Sequence, residues 1–141
     1  MRRRLPRKTP LFPDGRPDWL RQCTKLCGAR CCRYVALPIA APTTAGDFDD
    51  WRWYLSHEGI SIYKAGNTWH ICFETRCREL LPDNRCAVYE TRPRVCKDYD
   101  PAECEWHDPK SASSVEFRSP EDLAAWLAAK RKRRRRARRA R

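Results

Sequence analysis

Cys23-Thr24-Lys25-Leu26-Cys27-Gly28-Ala29-Arg30-Cys31-Cys32 places four thiols within ten residues, and Cys77, Cys86, Cys96 and Cys104 follow at intervals of nine, ten and eight. Thiolates are soft anionic ligands, and four of them satisfy either a tetrahedral zinc or an iron–sulfur cluster. Two groups of four therefore point to two sites, or to one cluster with spare ligands. Cys23, Cys27 and Cys31 recur at i, i+4 and i+8, which on a helix fall along one stripe. The spacing predicts a helix that presents three thiols and ends near Cys31-Cys32, with Gly28 weakening its middle. The second group fits no helical stripe. Its thiols must converge through loops, and such convergence needs a bond to hold it.

The rest of the composition favours metal over disulfides. Residues 1–18 are basic and interrupted by Pro6, Pro10, Pro13 and Pro17, and no apolar run of signal-peptide length follows them. Tyr34 to Pro42, the most apolar stretch, is far short of the roughly 20 residues that span a bilayer. The expectation is a cytoplasmic chain with no membrane segment. In a reducing compartment a cysteine-dense small protein is more often a metal or redox site than a disulfide framework, and nine cysteines cannot all pair internally. With 141 residues, 41% of them apolar, the core is thin enough to need a staple.

Outside the cysteines the fold class reads as α+β: a small metal-stapled domain with a β-hairpin, a few short helices and long loops, followed by a basic C-terminal helix. Residues 1–18 read as an irregular basic lead-in, 19–118 as the cysteine-cluster domain, and 119–141 as an amphipathic helix running into a polybasic tail. Tyr34 to Ile39 suits a short strand. Thr44 to Asp47 suits the start of a helix reaching His57, with Phe48, Trp51 and Leu55 on its buried face. Ile60 to Lys64 and Thr68 to Phe73 are β-branched and aromatic runs separated by Ala65-Gly66-Asn67, a hairpin signal. In the second strand Trp69, Ile71 and Phe73 face one way, His70 and Cys72 the other. Ser119 is an N-cap with Pro120 at the first helical position and Glu121 and Asp122 at the positive end, and Leu123, Trp126 and Leu127 form an apolar face.

Cys27-Gly28-Ala29-Arg30-Cys31-Cys32, then Cys77-Arg78-Glu79-Leu80, then Cys86-Ala87-Val88-Tyr89-Glu90-Thr91-Arg92-Pro93 and Cys96 resemble the YkgJ-type cysteine-cluster family, whose domains are described as chelating zinc or iron. The resemblance covers about residues 23–104. It departs in one respect: the family's opening cysteines stand two residues apart, whereas three residues separate Cys23 from Cys27 and Cys27 from Cys31. The resemblance implies metal ligands at Cys23, Cys27, Cys31, Cys32, Cys77, Cys86, Cys96 and Cys104, holding zinc or iron, a 4Fe–4S cluster included. Cys72 matches nothing in the family and reads as a strand residue. Some members resemble flagellin lysine N-methylases, which implies an alternative as an iron–sulfur redox or methyl-transfer enzyme. No glycine-rich nucleotide loop accompanies it.

Around the thiols, Arg30, Arg33, Arg76, Arg78, Arg85, Arg92, Arg94 and Lys97 offer countercharge to thiolate-bound metal. Tyr89, Glu90, Arg92 and Pro93 suggest a packed turn fixing Cys86 and Cys96, with a Glu90–Arg92 pair behind it. His107, three residues after Cys104, is a candidate replacement ligand; His57 and His70 read as structural. The formal charge of +12 belongs to the ends: residues 1–8 and 130–141 carry fifteen of the thirty basic residues, and the stretch between them is net −3. Lys130 to Arg141 would bind RNA or another polyanion through charge, the basis of a third reading as a nucleic-acid-binding module.

Overall fold

β-branched and aromatic residues alternate from Ile60 to Phe73, and that alternation builds the centre of the fold. The computed structural model describes residues 11–104 and 113–140. Its elements in chain order are α1 (Trp19–Arg21), which passes into a π-helical turn at Gln22–Cys27, a 3-10 turn at Arg30–Cys32, β1 (Tyr34–Ile39), α2 (Ala45–Leu55), β2 (Ile60–Ala65), β3 (Thr68–Glu74), a 3-10 turn at Tyr89–Thr91, α3 (Arg94–Lys97), a 3-10 turn at Pro101–Glu103, β4 (Val115–Phe117) and α4 (Pro120–Arg139). The class is α+β. Two units share the chain: residues 1–35 with 74–112, and residues 36–73 with 113–141.

The second unit is organised by its sheet, ordered β1-β3-β2-β4. β2 runs antiparallel to both β3 and β4, and Ile62 stands opposite Ile71 on one side and Phe117 on the other. Ala65 pairs with Thr68 across Gly66-Asn67, where Gly66 takes a φ of +56°, a value that costs glycine little. Pro38 lies in β1 at the sheet edge, where a missing N–H disturbs no ladder. As the alternation requires, Trp69 and Ile71 are buried and Phe73 packs at the margin of the core. Both helices lay apolar stripes against this face: Trp51 and Leu55 from α2, Leu123 with Trp126 and Leu127 from α4. The aromatics interlock, Trp51 edge-on to Trp69 at 4.9 Å and Trp126 edge-on to Phe117 at 5.4 Å between ring centroids. Such pairs add to the energy of plain burial.

Both helix starts follow their caps. Thr44 accepts from the Asp47 N–H, and the Asp47 carboxylate accepts in return from the Thr43 and Thr44 N–H groups at 2.7 and 2.8 Å, a reciprocal box. Ser119 accepts from the Asp122 N–H. Helix α2 spans Ala45–Leu55, inside the predicted reach to His57. Helix α4 continues through the basic run to Arg139. β4 was not anticipated: three residues pair only because Ile62 and Lys64 offer an open edge.

Two outcomes test this unit. Leu123, 2% exposed, is expected to cost about 2–5 kcal/mol on replacement by Ala, the range for buried leucines, measured by urea unfolding followed through tryptophan fluorescence. The hydrogen bonds from Thr43 and Thr44 hold the Asp47 carboxyl down at about 2 from an ordinary 3.8. A depressed pKa stabilises the fold above pH 4 and loses that contribution as pH falls through about 2. Asp47→Asn should therefore lower the melting temperature at pH 7, with the gap to wild type closing progressively below pH 4.

Candidate metal centre

All eight cysteines of the two sequence groups lie in the first unit, while Cys72 lies on β3 in the second. None of the nine is in a disulfide. The unit that carries them buries little else: among its described residues Ala29 and Leu80 are the buried apolar side chains, with Gln22 and Thr24 as buried polar ones. Leu11, Phe12, Leu20, Val35, Leu81, Tyr89, Val95 and Tyr99 are all exposed.

The first cysteine group is not one helix. The carbonyl of Cys23 accepts from the Gly28 N–H, five residues on, and from the Ala29 N–H at 2.7 Å. The turn Gln22–Cys27 is thereby widened to π geometry, and Gly28 and Ala29 then both adopt left-handed backbone, φ +70° and +50°. A left-handed glycine is a usual helix terminator. The predicted helix to Cys31-Cys32 thus ends at Cys27, and the cysteine pair sits on a separate 3-10 turn.

The second group arrives through loops, as its spacing requires. The Cys77 N–H donates to the Cys32 carbonyl at 2.8 Å, and Thr75 N–H to the Arg33 carbonyl at 3.0 Å, so the strand leaving β3 is stitched to the double cysteine. Cys86 bridges to Leu80 across a tight turn closed by Leu81 and Arg85. Cys96 sits on α3 behind Pro93, and Cys104 follows the 3-10 turn capped by Asp100. Two polar side chains tie the loops together. Arg33 donates to the Gly28 carbonyl at 2.9 Å and to Asn84 Oδ1 at 2.7 Å, and Asn84 Nδ2 donates to the Thr24 carbonyl at 3.0 Å. This brace links the two cysteine groups.

The thiols act on one another's titration. Burial pushes the Cys23 thiol up to about 11, and Cys27, Cys104 and Cys32 push in the same direction. Cys96 is also raised, by burial first and then by Cys32, Cys77 and Cys86, with Arg92 opposing. Cys31 donates to the sulfur of Cys32; that bond raises Cys31 and, with Arg33, brings Cys32 down to about 6. The neighbourhoods overlap: Cys27, Cys104 and Cys32 act on Cys23, the thiols of Cys32, Cys27 and Cys23 act on Cys31, and Cys32, Cys77 and Cys86 act on Cys96. Several neighbouring thiols cannot all ionise without a cation among them. Among the described residues no three His, Cys, Asp or Glu side chains are already drawn into one metal-holding group. The donor set nevertheless fits a thiophilic ion, being thiol throughout.

Of the predicted surroundings, Arg33 faces Cys32 and Arg92 faces Cys96. Arg85 and Arg94 turn instead to Asp83 and Asp98. Arg92 stacks on Tyr89 at 3.8 Å and donates to its carbonyl, so the turn before Pro93 is held by Tyr89 rather than by the expected Glu90. His107 lies outside the described residues. Asn84 and Tyr99 were missed by sequence reasoning. Partial desolvation, although part of the side chain stays exposed, and a hydrogen bond from the Tyr99 hydroxyl to Cys104 raise the Tyr99 pKa. The only sequence signal for Asn84 was the turn dipeptide Asp83-Asn84.

A family model described as "Putative zinc- or iron-chelating domain" and named CxxCxxCC matches residues 22–117. The chain belongs to this family. No curated protein and no solved structure matches it. The CxxCxxCC match runs from the π turn to the end of β4, so it takes in all eight clustered cysteines and Cys72 as well.

Asn84 sits at φ +67°, which glycine adopts freely and alanine does not. Asn84→Gly removes only the two side-chain hydrogen bonds and is expected to cost roughly 1–2 kcal/mol. Asn84→Ala adds the left-handed backbone penalty of about 1–2 kcal/mol. Urea unfolding of the three proteins should rank them Asn, Gly, Ala in falling stability.

Proposed function

We propose that the first unit is a thiolate-held metal module carrying two zinc or iron sites built from Cys23, Cys27, Cys31, Cys32, Cys77, Cys86, Cys96 and Cys104, with Cys32, which neighbours thiols of both sequence groups, shared between the sites. The observation that carries this reading is a nearly core-less unit that contains all eight clustered thiols. A unit whose buried apolar residues, among those described, are Ala29 and Leu80 gains little from the hydrophobic effect, and metal–thiolate bonds supply folding energy outright in such domains. Two tetrahedral ions sharing one thiolate need seven sulfurs, and the unit supplies eight.

The role is structural or electron-transferring. A catalytic metal keeps a coordination position open, and thiols in this surplus close positions rather than open them. The chain's own residues do the positioning: the Arg33–Asn84 brace holds the first group against the second, the Cys32 carbonyl anchors Cys77, and Tyr99 hydrogen-bonds the sulfur of Cys104. Arg33 and Arg92 lower the electrostatic cost of a centre with excess negative charge. When bound, the metal supplies cross-linking bonds and, if it is iron, a redox couple.

Metal analysis of anaerobically purified protein should return two equivalents of zinc or iron per chain, and visible absorption near 400 nm separates iron–sulfur from zinc. Cys32→Ser should lose metal from both sites. Retention of two equivalents by Cys32→Ser would remove the bridge from the proposal, and less than one equivalent in the wild type would remove the metal.

A further inference from the structure

The polybasic run is a formed helix rather than a loose tail. Helix α4 covers Pro120–Arg139, and every described residue from Ala128 onward is exposed. Its first two turns are anchored by Leu123, Trp126 and Leu127 in the core of the second unit, with the Lys130 ammonium resting 3.9 Å over the Trp126 ring. Beyond that point the helix stands free of the core. Nine of the ten residues 130–139 are Lys or Arg, Ala137 being the exception. At 100° per residue they point in all directions: Arg131, Arg134 and Arg138 cluster on one side, and Lys132, Arg133 and Arg136 on the opposite side. Positive side chains near a helix C-terminus are favoured by its dipole, but neighbours at i+3 and i+4 repel. A partner bringing negative charge to several sides at once relieves that repulsion.

That geometry discriminates among polyanions. A membrane surface meets one face of a helix and needs an apolar stripe to enter it; residues 130–139 have none. Single-stranded nucleic acid is held by aromatic side chains on which bases stack, and no aromatic lies beyond Trp126 in the helix. Duplex RNA presents a major groove too deep and narrow for a helix. The major groove of B-form DNA is about 12 Å wide and accepts one, with phosphates along both walls. The ten residues span about 15 Å. Residues 130–139 hold no Asn or Gln for adenine edges, and their arginines and lysines suit guanine edges alone; nine positive charges spread round the helix favour contacts to phosphate, which carry no base sequence.

We propose that Lys130–Arg139 docks lengthwise in the major groove of duplex DNA, contacting phosphates of both strands from opposite sides of the helix and with little sequence preference. Fluorescence anisotropy of the full chain with a labelled 20-base-pair DNA duplex, over a salt series, reads the number of phosphates neutralised from the slope of log K against log salt, about 0.9 per contact. Two triple variants test the two walls: Arg131, Arg134 and Arg138 to Ala, and Lys132, Arg133 and Arg136 to Ala. Each is expected to reduce the slope by about 2–3. Changing Arg131, Arg134 and Arg138 to Lys should leave the slope intact, and unaltered near-ultraviolet circular dichroism shows that each variant is folded. Loss confined to one variant means a flat partner and overturns groove docking. So does equal or tighter binding to a 20-base-pair RNA duplex or to phosphatidylserine vesicles, or no DNA binding by the wild type at 50 mM salt.

Discussion

Repulsion among closely held thiols, in a unit with almost no apolar core, is the constraint on which the cysteine-bearing half of this protein depends. Ala29 and Leu80 together bury too little surface to offset the entropy of ordering loops as long as those between Cys77 and Cys104. The hydrogen bonds that remain, Arg33 to Asn84 and Cys77 to Cys32 among them, fix relative positions but are each worth about 1 kcal/mol net. Burial first, and then the neighbouring thiols, raise the Cys23 thiol to about 11 and push Cys96 in the same direction. A divalent ion reverses the sign of both effects, since it deprotonates the thiols and converts their proximity from a cost into a set of bonds.

The other unit solves the same problem by ordinary means. Trp51, Leu55, Ile62, Trp69, Ile71, Phe117 and Leu123 form one buried cluster drawn from two helices and three strands. Its aromatics pack edge-on and stacked at 4.9 to 6.4 Å, so each large side chain brings both area and specific geometry. The chain thus combines a half stabilised by aromatic burial with a half whose apolar residues stay on the surface, and the eight clustered thiols are confined to the second kind.

How legible each part was follows from whether its cause is local. The β2–β3 hairpin, helix α2 and helix α4 could be read because period-two alternation, a Thr44–Asp47 box and a Ser119-Pro120 start are all written within a few residues. The cysteine grouping was legible for the same reason. β4 was not, since a three-residue strand has no periodicity and exists only by pairing with Ile62 and Lys64. The Asn84 brace and the Tyr99–Cys104 bond were equally hidden, because each joins residues whose relation is set by the folded loops. Tyr89 in place of Glu90 as the partner of Arg92 is a smaller case: a charged neighbour two residues away promised an ion pair, and stacking on a ring at 3.8 Å took its place.

The departure of the first group from the family's spacing has a structural resolution. An extra residue inside a helical turn can be absorbed by widening that turn to π geometry, a local change seen often at functional sites. Gln22–Cys27 does this, with Cys23 and Cys27 still facing one another. The second extra residue falls where Gly28 and Ala29 both take left-handed backbone, which reverses the chain and returns Cys31 and Cys32 toward Cys23 and Cys27. Read as a regular helix, three cysteines at i, i+4 and i+8 would lie in a row, each about 6 Å of rise from the next, too extended for one ion. The π turn and the left-handed pair fold that row back on itself, so that Cys31 and Cys32 neighbour Cys23 rather than continuing away from it.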